Sequence, residues 1–177
     1  MTSVAVRRWT EHDIPAVRAI LRDTWDATYG GFIPQRDLHG YLDTTYAPEK
    51  LSLLMQRPEV EGFVAFEGEV AAGMVRTEYN PGERRFYVSS LYVLPAFQGR
   101  GIGSALLRRA EECALARGVH EVWLGVMEQN AGPLEWYRAI GFRFVRKEPF
   151  TMGTTTVNHL IGYRPIAPRN SVPPNNT

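Results

Sequence analysis

LYVLPAFQGRGIGSALLRRAEECALARG, residues 91–118, is the stretch from which the rest of the chain can be read. A β-branched and aromatic run passes through Gly99, Arg100, Gly101 and Gly103 into a long amphipathic segment. Ile102, Leu106, Ala110, Cys113 and Ala114 recur at helical spacing, while Ser104, Arg108, Arg109, Glu111 and Glu112 fall on the other side. This pattern predicts a helix from about Gly101, packed on a sheet. The first amides of such a helix lack intrahelical acceptors and sit at the positive end of its dipole. Glycines at 99, 101 and 103 would let an anion such as a pyrophosphate approach those N–H groups, with Arg100 adding a charge-assisted contact. A plain tight strand-to-helix turn would use the same glycines. The residues alone leave both readings open.

Two nucleotide-binding motifs fail on spacing. A dinucleotide fingerprint needs G-x-G-x-x-G, and counting on from Gly99 and Gly101 reaches Ser104. A P-loop needs Lys and Ser/Thr after its last glycine, and GIGSALL has no lysine.

Outward from this loop the chain alternates between two periods. TSVAVRRW predicts a first strand, and Thr10 with Asp13 starts a helix running to about Tyr29. Residues 36–58 predict one or two short helices broken near Pro48. From Gly62 the period is that of strands: a hairpin around Glu67-Gly68, a turn at NPGE, then RRFYVSSLYVL. HEVWLGVM predicts a strand, AGPLEWYRAI a helix closed by Gly141, and FRFVRKEPF and TTTVNHLIGYRP two closing strands. The order predicts one domain over residues 1–165, a layered α/β or α+β fold with a mixed sheet. Residues 166–177, rich in Pro, Asn and Ser, are expected to be disordered.

Composition bounds the function. The 177 residues carry a net charge of +1, too little for a global field that recruits nucleic acid or an acidic membrane. One cysteine, Cys113, rules out an internal disulfide framework and suits a reducing, cytoplasmic setting. No run reaches the ~18 apolar residues of a membrane span. His12, His39, His120 and His159 are scattered without metal-ligand spacing, so no metal is expected.

The stretch V-x-P-x-x-Q-G-x-G-I-G, with Gln98, Gly101 and Gly103 at its centre, resembles the acetyl-CoA signature of the GCN5-related N-acetyltransferase (GNAT) superfamily. WLGVMEQNAGPLEWYRAIGFRFV is similar to that family's closing strand–helix unit, with Asn130 seven residues before Tyr137 and then Gly141-Phe142. The resemblance covers roughly residues 63–144. It implies an α+β fold: a mixed, mostly antiparallel sheet of about seven strands flanked by helices on both faces. It also implies acetyl transfer from acetyl-CoA to a primary amine by direct attack in a ternary complex.

Carried onto this sequence, the resemblance implies that Gln98, Gly99, Arg100, Gly101, Ile102, Gly103 and Ser104 hold the pyrophosphate of coenzyme A. Backbone groups near Leu91, Tyr92 and Val93 would pair with the pantetheine arm, as a free strand edge pairs with an added strand. Tyr137 would be the general acid for the departing thiolate, against a competing reading as core aromatic. Asn130 either bonds the cofactor amide or caps its helix. Several relatives carry a glutamate on the strand before the loop, and RRFYVSSLYVL has none, so Glu128, Glu78, Tyr29 or water stay open as the base.

Segments such as TWDATYGGFIP, VWLGVMEQN and FTMGTTTVNHLI resemble bacterial polyamine acetyltransferases of the PaiA type. That likeness puts spermidine-like amines forward, with Trp25, Tyr29 and Glu78 as candidate acceptor contacts. Trp25 also lies on the apolar stripe of its helix. Two alternatives remain on sequence: an acetyl-CoA-binding sensor without turnover, and a protein N-terminal acetyltransferase with a peptide groove near residues 29–46. The partner expected in the main reading is a small amine, bound by a monomer or homodimer, with no nucleic acid or membrane.

Overall fold

A computed structural model describes residues 3–168. Strand β1 (Val4–Arg8) is followed by three helices, α1 (Ile14–Tyr29), α2 (Gln35–Thr45) and α3 (Pro48–Gln56). Three strands come next, β2 (Val60–Glu67), β3 (Val70–Asn80) and β4 (Arg85–Val93). Then follow α4 (Ile102–Ala116), β5 (Glu121–Met127), α5 (Ala131–Ala139), β6 (Arg143–Met152) and β7 (Thr155–Pro165). The strands form one sheet in the order β1-β2-β3-β4-β5-β7-β6. Only β4 and β5 run parallel; the other neighbours are antiparallel. This is the expected GNAT-like α+β architecture.

Local chemistry sets the element ends. A single 3₁₀ turn, Glu11–Asp13, leads into α1, and the Thr10 amide donates to Asp13 Oδ2 at 2.7 Å. Arg7 clamps the same carboxylate from β1 through two bonds of 2.8 Å. Pro34 and Pro48 stand at helix starts, where a missing N–H costs nothing. The proline at 48 thus divides residues 35–56 into two helices.

The sheet carries a core on each face. On one side α4 and α5 press Ile102, Leu106, Ala110, Ala114, Leu134 and Tyr137 against Val75, Phe86, Val88 and Val122. On the other, α1 and α2 press Val17, Leu21, Trp25, Tyr29, Leu38 and Leu42 against Val64, Met74 and Met127. Burying each large apolar side chain contributes about 1.5–3 kcal/mol. Cys113 is half-buried at the edge of the α4 stripe.

The expected tail lies outside the described residues beyond residue 168. Within them, Ile166 is buried in the α4-side core and its amide donates to the His120 carbonyl at 2.8 Å. The packed chain therefore reaches at least one residue past the 1–165 boundary.

Candidate active site

The site begins with an irregularity in β4. Arg76 of β3 pairs with Ser90, but Thr77 pairs with Val88, so Ser89 is an extra residue in β4. A bulge of this kind bends the strand that carries it. β4 and β5 are then joined in register only at Tyr87 and Trp123. Beyond that pair they diverge, and a cleft of about 410 Å³ opens between Val88–Val93 and Leu124–Val126. The backbone edges facing this gap offer N–H and C=O groups to an amide-rich ligand.

At one end of the cleft lies the start of α4. Gly101 is its N-cap residue at φ 80°, and Gly99 has φ 75°. Both values lie in the left-handed region that residues with a Cβ avoid. A Cβ at either position would meet no atom within 4 Å. The left-handed backbone alone calls for glycine at both positions, and the open space beside them leaves room for the anion approach expected from the sequence. No side chain caps the helix, so the first-turn amides of α4 are left for an anion. Gln98 steadies the loop by donating from Nε2 to the Val93 carbonyl at 3.1 Å.

Helix α5 supplies the opposite wall. Asn130 precedes it as N-cap without a side-chain capping bond, and it lines the cleft. Of the two roles the sequence left open for this side chain, capping is not used. The helix ends in a Schellman turn. Phe142 N–H donates to the Tyr137 carbonyl at 2.9 Å, Gly141 N–H to that of Arg138 at 3.1 Å, and Gly141 has φ 101°. The Tyr137 ring is buried between Trp136 and Phe142, with centroids 4.8 Å and 5.2 Å away, and it lines the cleft.

Across the sheet, α1 contributes Thr24, Thr28 and Tyr29 to the cleft. The Tyr29 and Tyr92 hydroxyls are 3.4 Å apart. Burial pushes the Tyr29 phenol up to about 12 and those of Tyr92 and Tyr137 further. All three keep their protons at neutral pH. No charged side chain lines the cleft among the described residues.

The structure thus gathers Leu91, Tyr92, Val93, Gln98, Gly99, Gly101, Ile102, Gly103, Ser104, Asn130, Tyr137 and Tyr29 around one cleft. Three sequence candidates stand apart. Arg100 pairs with Glu67 at 2.6 Å and lies over the Phe97 ring. Trp25 is 2% exposed and packs edge-on against Tyr46 and Tyr92. Glu78 pairs with Arg57 at 2.7 Å in a separate polar hollow that also holds Glu59 and touches Ser89. Glu128, one of the open bases, is tied to Lys147 and Asn158.

Sequence reasoning missed Ser89, Ser90, Gly125 and Trp136, which border the cleft as well. The polar pair Ser89-Ser90 inside an apolar strand was the available signal for the bulge. No group of His, Cys, Asp and Glu able to hold a metal occurs among the described residues, and no helix there is long and apolar enough to cross a membrane.

Known proteins resemble this chain in sequence and fold. An uncharacterized N-acetyltransferase in the pepI 3' region of Lactobacillus delbrueckii subsp. lactis is 28% identical over 160 residues, 86% of this chain and 92% of that one. A spermidine N(1)-acetyltransferase of Thermoplasma acidophilum is 24% identical over 145 residues, 80% of this chain and 89% of that one. The fold matches a crystal structure of PaiA N-acetyltransferase from Thermoplasma acidophilum in complex with coenzyme A, with TM-score 0.80 and 22% identity. That match covers 92% of this chain and 99% of the other. Residues 16–142 match the model of the Acetyltransferase (GNAT) family, so the chain belongs to that family and is an acetyl-CoA-dependent acetyltransferase.

Proposed function

We propose that the protein moves the acetyl group of acetyl-CoA to a primary amine by direct attack in a ternary complex. The observation that carries this reading is the gap between β4 and β5, with the uncapped start of α4 at one end and Tyr137 on its wall. The residues present fit coenzyme A: bare amides for the pyrophosphate, unpaired strand edges for the pantetheine amides, and the Asn130 amide beside them. Acetyl-CoA supplies the activated thioester. The chain positions it, excludes water and manages protons.

A backbone amide of β4 near Tyr92 or Val93 donates to the thioester carbonyl as negative charge develops there. Tyr137 holds a proton that only a strong base can take, and the departing thiolate becomes such a base in the same desolvated cleft. The phenol therefore protonates sulfur. Direct transfer fits a site where Cys113 stands outside the cleft, with its thiol pushed up to about 12 by burial and by Glu61.

A polyamine such as spermidine is the acceptor we put first. Its support is the Thermoplasma acidophilum relative. With no charge in the cleft, the distal ammonium groups would be carried past Ser89 towards Glu59 and Glu78 in the adjoining hollow. Release of free thiol from acetyl-CoA, measured with spermidine and a panel of monoamines, tests both levels. Turnover with monoamines only would remove the polyamine assignment. Acetyl-CoA binding without turnover on any amine would overturn the transferase reading in favour of a sensor.

A further inference from the structure

Acetyl transfer leaves a question of protons. An alkylammonium with a pKa of about 10.4 is almost wholly protonated at pH 7 and has no lone pair with which to attack. The cleft offers no carboxylate or imidazole in its lining, and its three phenols are held neutral by burial. A side-chain base would have to come from just beyond it.

Strand β7 supplies one. In the antiparallel pairing with β5, His159 lies opposite Met127, and Ile161 lies opposite Gly125. The imidazole stacks on Phe150 at 4.3 Å with the planes 7° apart. Phe150 meets Tyr41, Tyr41 meets Trp25, and Trp25 meets Tyr92. His159 therefore stands on the same face of the sheet as Tyr92 and Tyr29, opposite the face that carries α4 and Tyr137. The ring also leans over the cleft strand. A Cβ built on Gly125, a lining residue, would be 3.1 Å from His159 Nδ1. It would also be 2.9 Å from Ile161 Cδ1, so glycine at 125 leaves both side chains room against the cleft strand.

We propose that His159 is the general base of acetyl transfer, reaching the acceptor ammonium through one water across the bare Cα of Gly125. The proposal rests on the transferase reading above. His159 accepts one proton from the ammonium, and the freed lone pair forms the C–N bond at the thioester carbonyl carbon. The C–S bond breaks, Tyr137 protonates the sulfur, and Tyr137 takes back the proton that the new amide nitrogen sheds. The one proton released per turnover leaves through His159 to solvent.

The surroundings suit the role. Burial lowers the imidazole below 6.5, and the opposing charge is Glu148, its partner on β6, itself held by Arg146 at 2.5 Å. Met127 and Gly125 of β5 do not titrate, and Tyr41 of α2 is raised by burial. The ring is therefore neutral and ready to accept a proton at pH 7.

The test is the pH profile of kcat/KM for an amine that the parent acetylates, with His159→Gln and Gly125→Ala as variants. The parent should fall with slope 1 below the imidazole's pKa and stay level between that value and the amine's own pKa, because the base takes up the one proton that the ammonium gives. His159→Gln should keep acetyl-CoA affinity, lose about a hundredfold or more in kcat, and lose the plateau, with kcat/KM rising with slope 1 through neutral pH up to the amine's own pKa. Gly125→Ala, whose methyl presses first on Ile161 Cδ1 and then on the His159 ring, should lower kcat at neutral pH on the order of tenfold. His159→Asn decides the matter if the glutamine variant does not fold. Amine turnover with kcat unchanged and the plateau kept in a folded His159 variant would overturn His159 alone. A parent that acetylates no amine would overturn this proposal together with the transferase reading.

Discussion

Tyr137 and Phe142 meet edge-on, ring centroids 5.2 Å apart, and the Phe142 amide donates to the Tyr137 carbonyl at 2.9 Å. The turn that stops α5 is therefore the same structure that fixes the proposed acid. Replacing Tyr137 by Phe keeps the ring and its packing and removes only the hydroxyl. It should lower kcat by about a hundredfold or more while acetyl-CoA affinity, measured by calorimetry, stays within about twofold. An unchanged kcat would reduce Tyr137 to a core aromatic.

Gly141 makes the same link testable from the backbone. Its φ of 101° is strained for any residue with a Cβ, and Arg164 packs 3.5 Å from where that atom would sit. Gly141→Ala should cost about 1–3 kcal/mol of stability in denaturant melts. It should also lower kcat, because the displaced turn carries Tyr137 with it. Loss of stability with full activity would show that α5 holds the tyrosine without the turn.

At the other end of the cleft, Gly101→Ala forces the N-cap of α4 out of its left-handed conformation, at a cost of about 1–2 kcal/mol. The first-turn amides then point elsewhere. The expected result is a rise in KM for acetyl-CoA of about tenfold with a smaller change in kcat, since the loop binds the cofactor far from the bond that breaks. Equal loss in kcat alone would place the anion site somewhere else.

Helical period places α4 within one residue of its observed start, and the Gln98–Gly103 and Asn130–Tyr137 motifs each carry their residues to a common cleft. Both are local signals. What the sequence hides is register. Nothing in TTTVNHLIGYRP says that His159 will lie opposite Met127 and beside Gly125, because that depends on how β7 pairs with a strand some thirty residues earlier. Arg100 and Glu67 are hidden in the same way, meeting only because the β2–β3 hairpin brings its turn to the glycine loop. Glu78 looked available as an acid on a strand, yet Arg57 from the end of α3 pairs with it. Period reports the face of an element; it is silent about which neighbour that face meets.

Cys113 offers a check on direct transfer. Its thiol is pushed from 9.0 up to about 12 by burial first and then by the Glu61 carboxylate. At pH 8 the thiolate fraction is then about a thousandfold below that of a thiol titrating at 9.0. Labelling by a disulfide reagent should be slower than for glutathione by tens of fold or more, the greater nucleophilicity of a more basic thiolate offsetting part of its scarcity, and should reach glutathione-like rates on denaturation. Cys113→Ala should retain turnover within about twofold. Loss of turnover in a folded Cys113→Ala protein would argue for a covalent thiol intermediate and against direct attack.

The last prediction concerns acid stability. Arg7 donates two bonds to Asp13, the Thr10 amide adds a third, and together they outweigh burial and hold the Asp13 carboxyl below its ordinary value of 3.8. Folding therefore binds the proton less tightly than the unfolded chain does. The stability from this group is fully present above about pH 3.8 and is lost as pH falls through the lower folded value. Asp37, which accepts bonds from Thr154 and Thr155 and so ties α2 to the β6–β7 hairpin, titrates in the same direction. Asp13→Asn should melt below the parent at pH 7, because an amide cannot accept both guanidinium bonds. The gap should narrow as pH falls below 3.8, where the parent loses the same ionised acceptor. A gap that stays constant from pH 7 down to pH 3 would mean that Asp13 stabilises the β1–α1 junction by shape and packing and not by its charge.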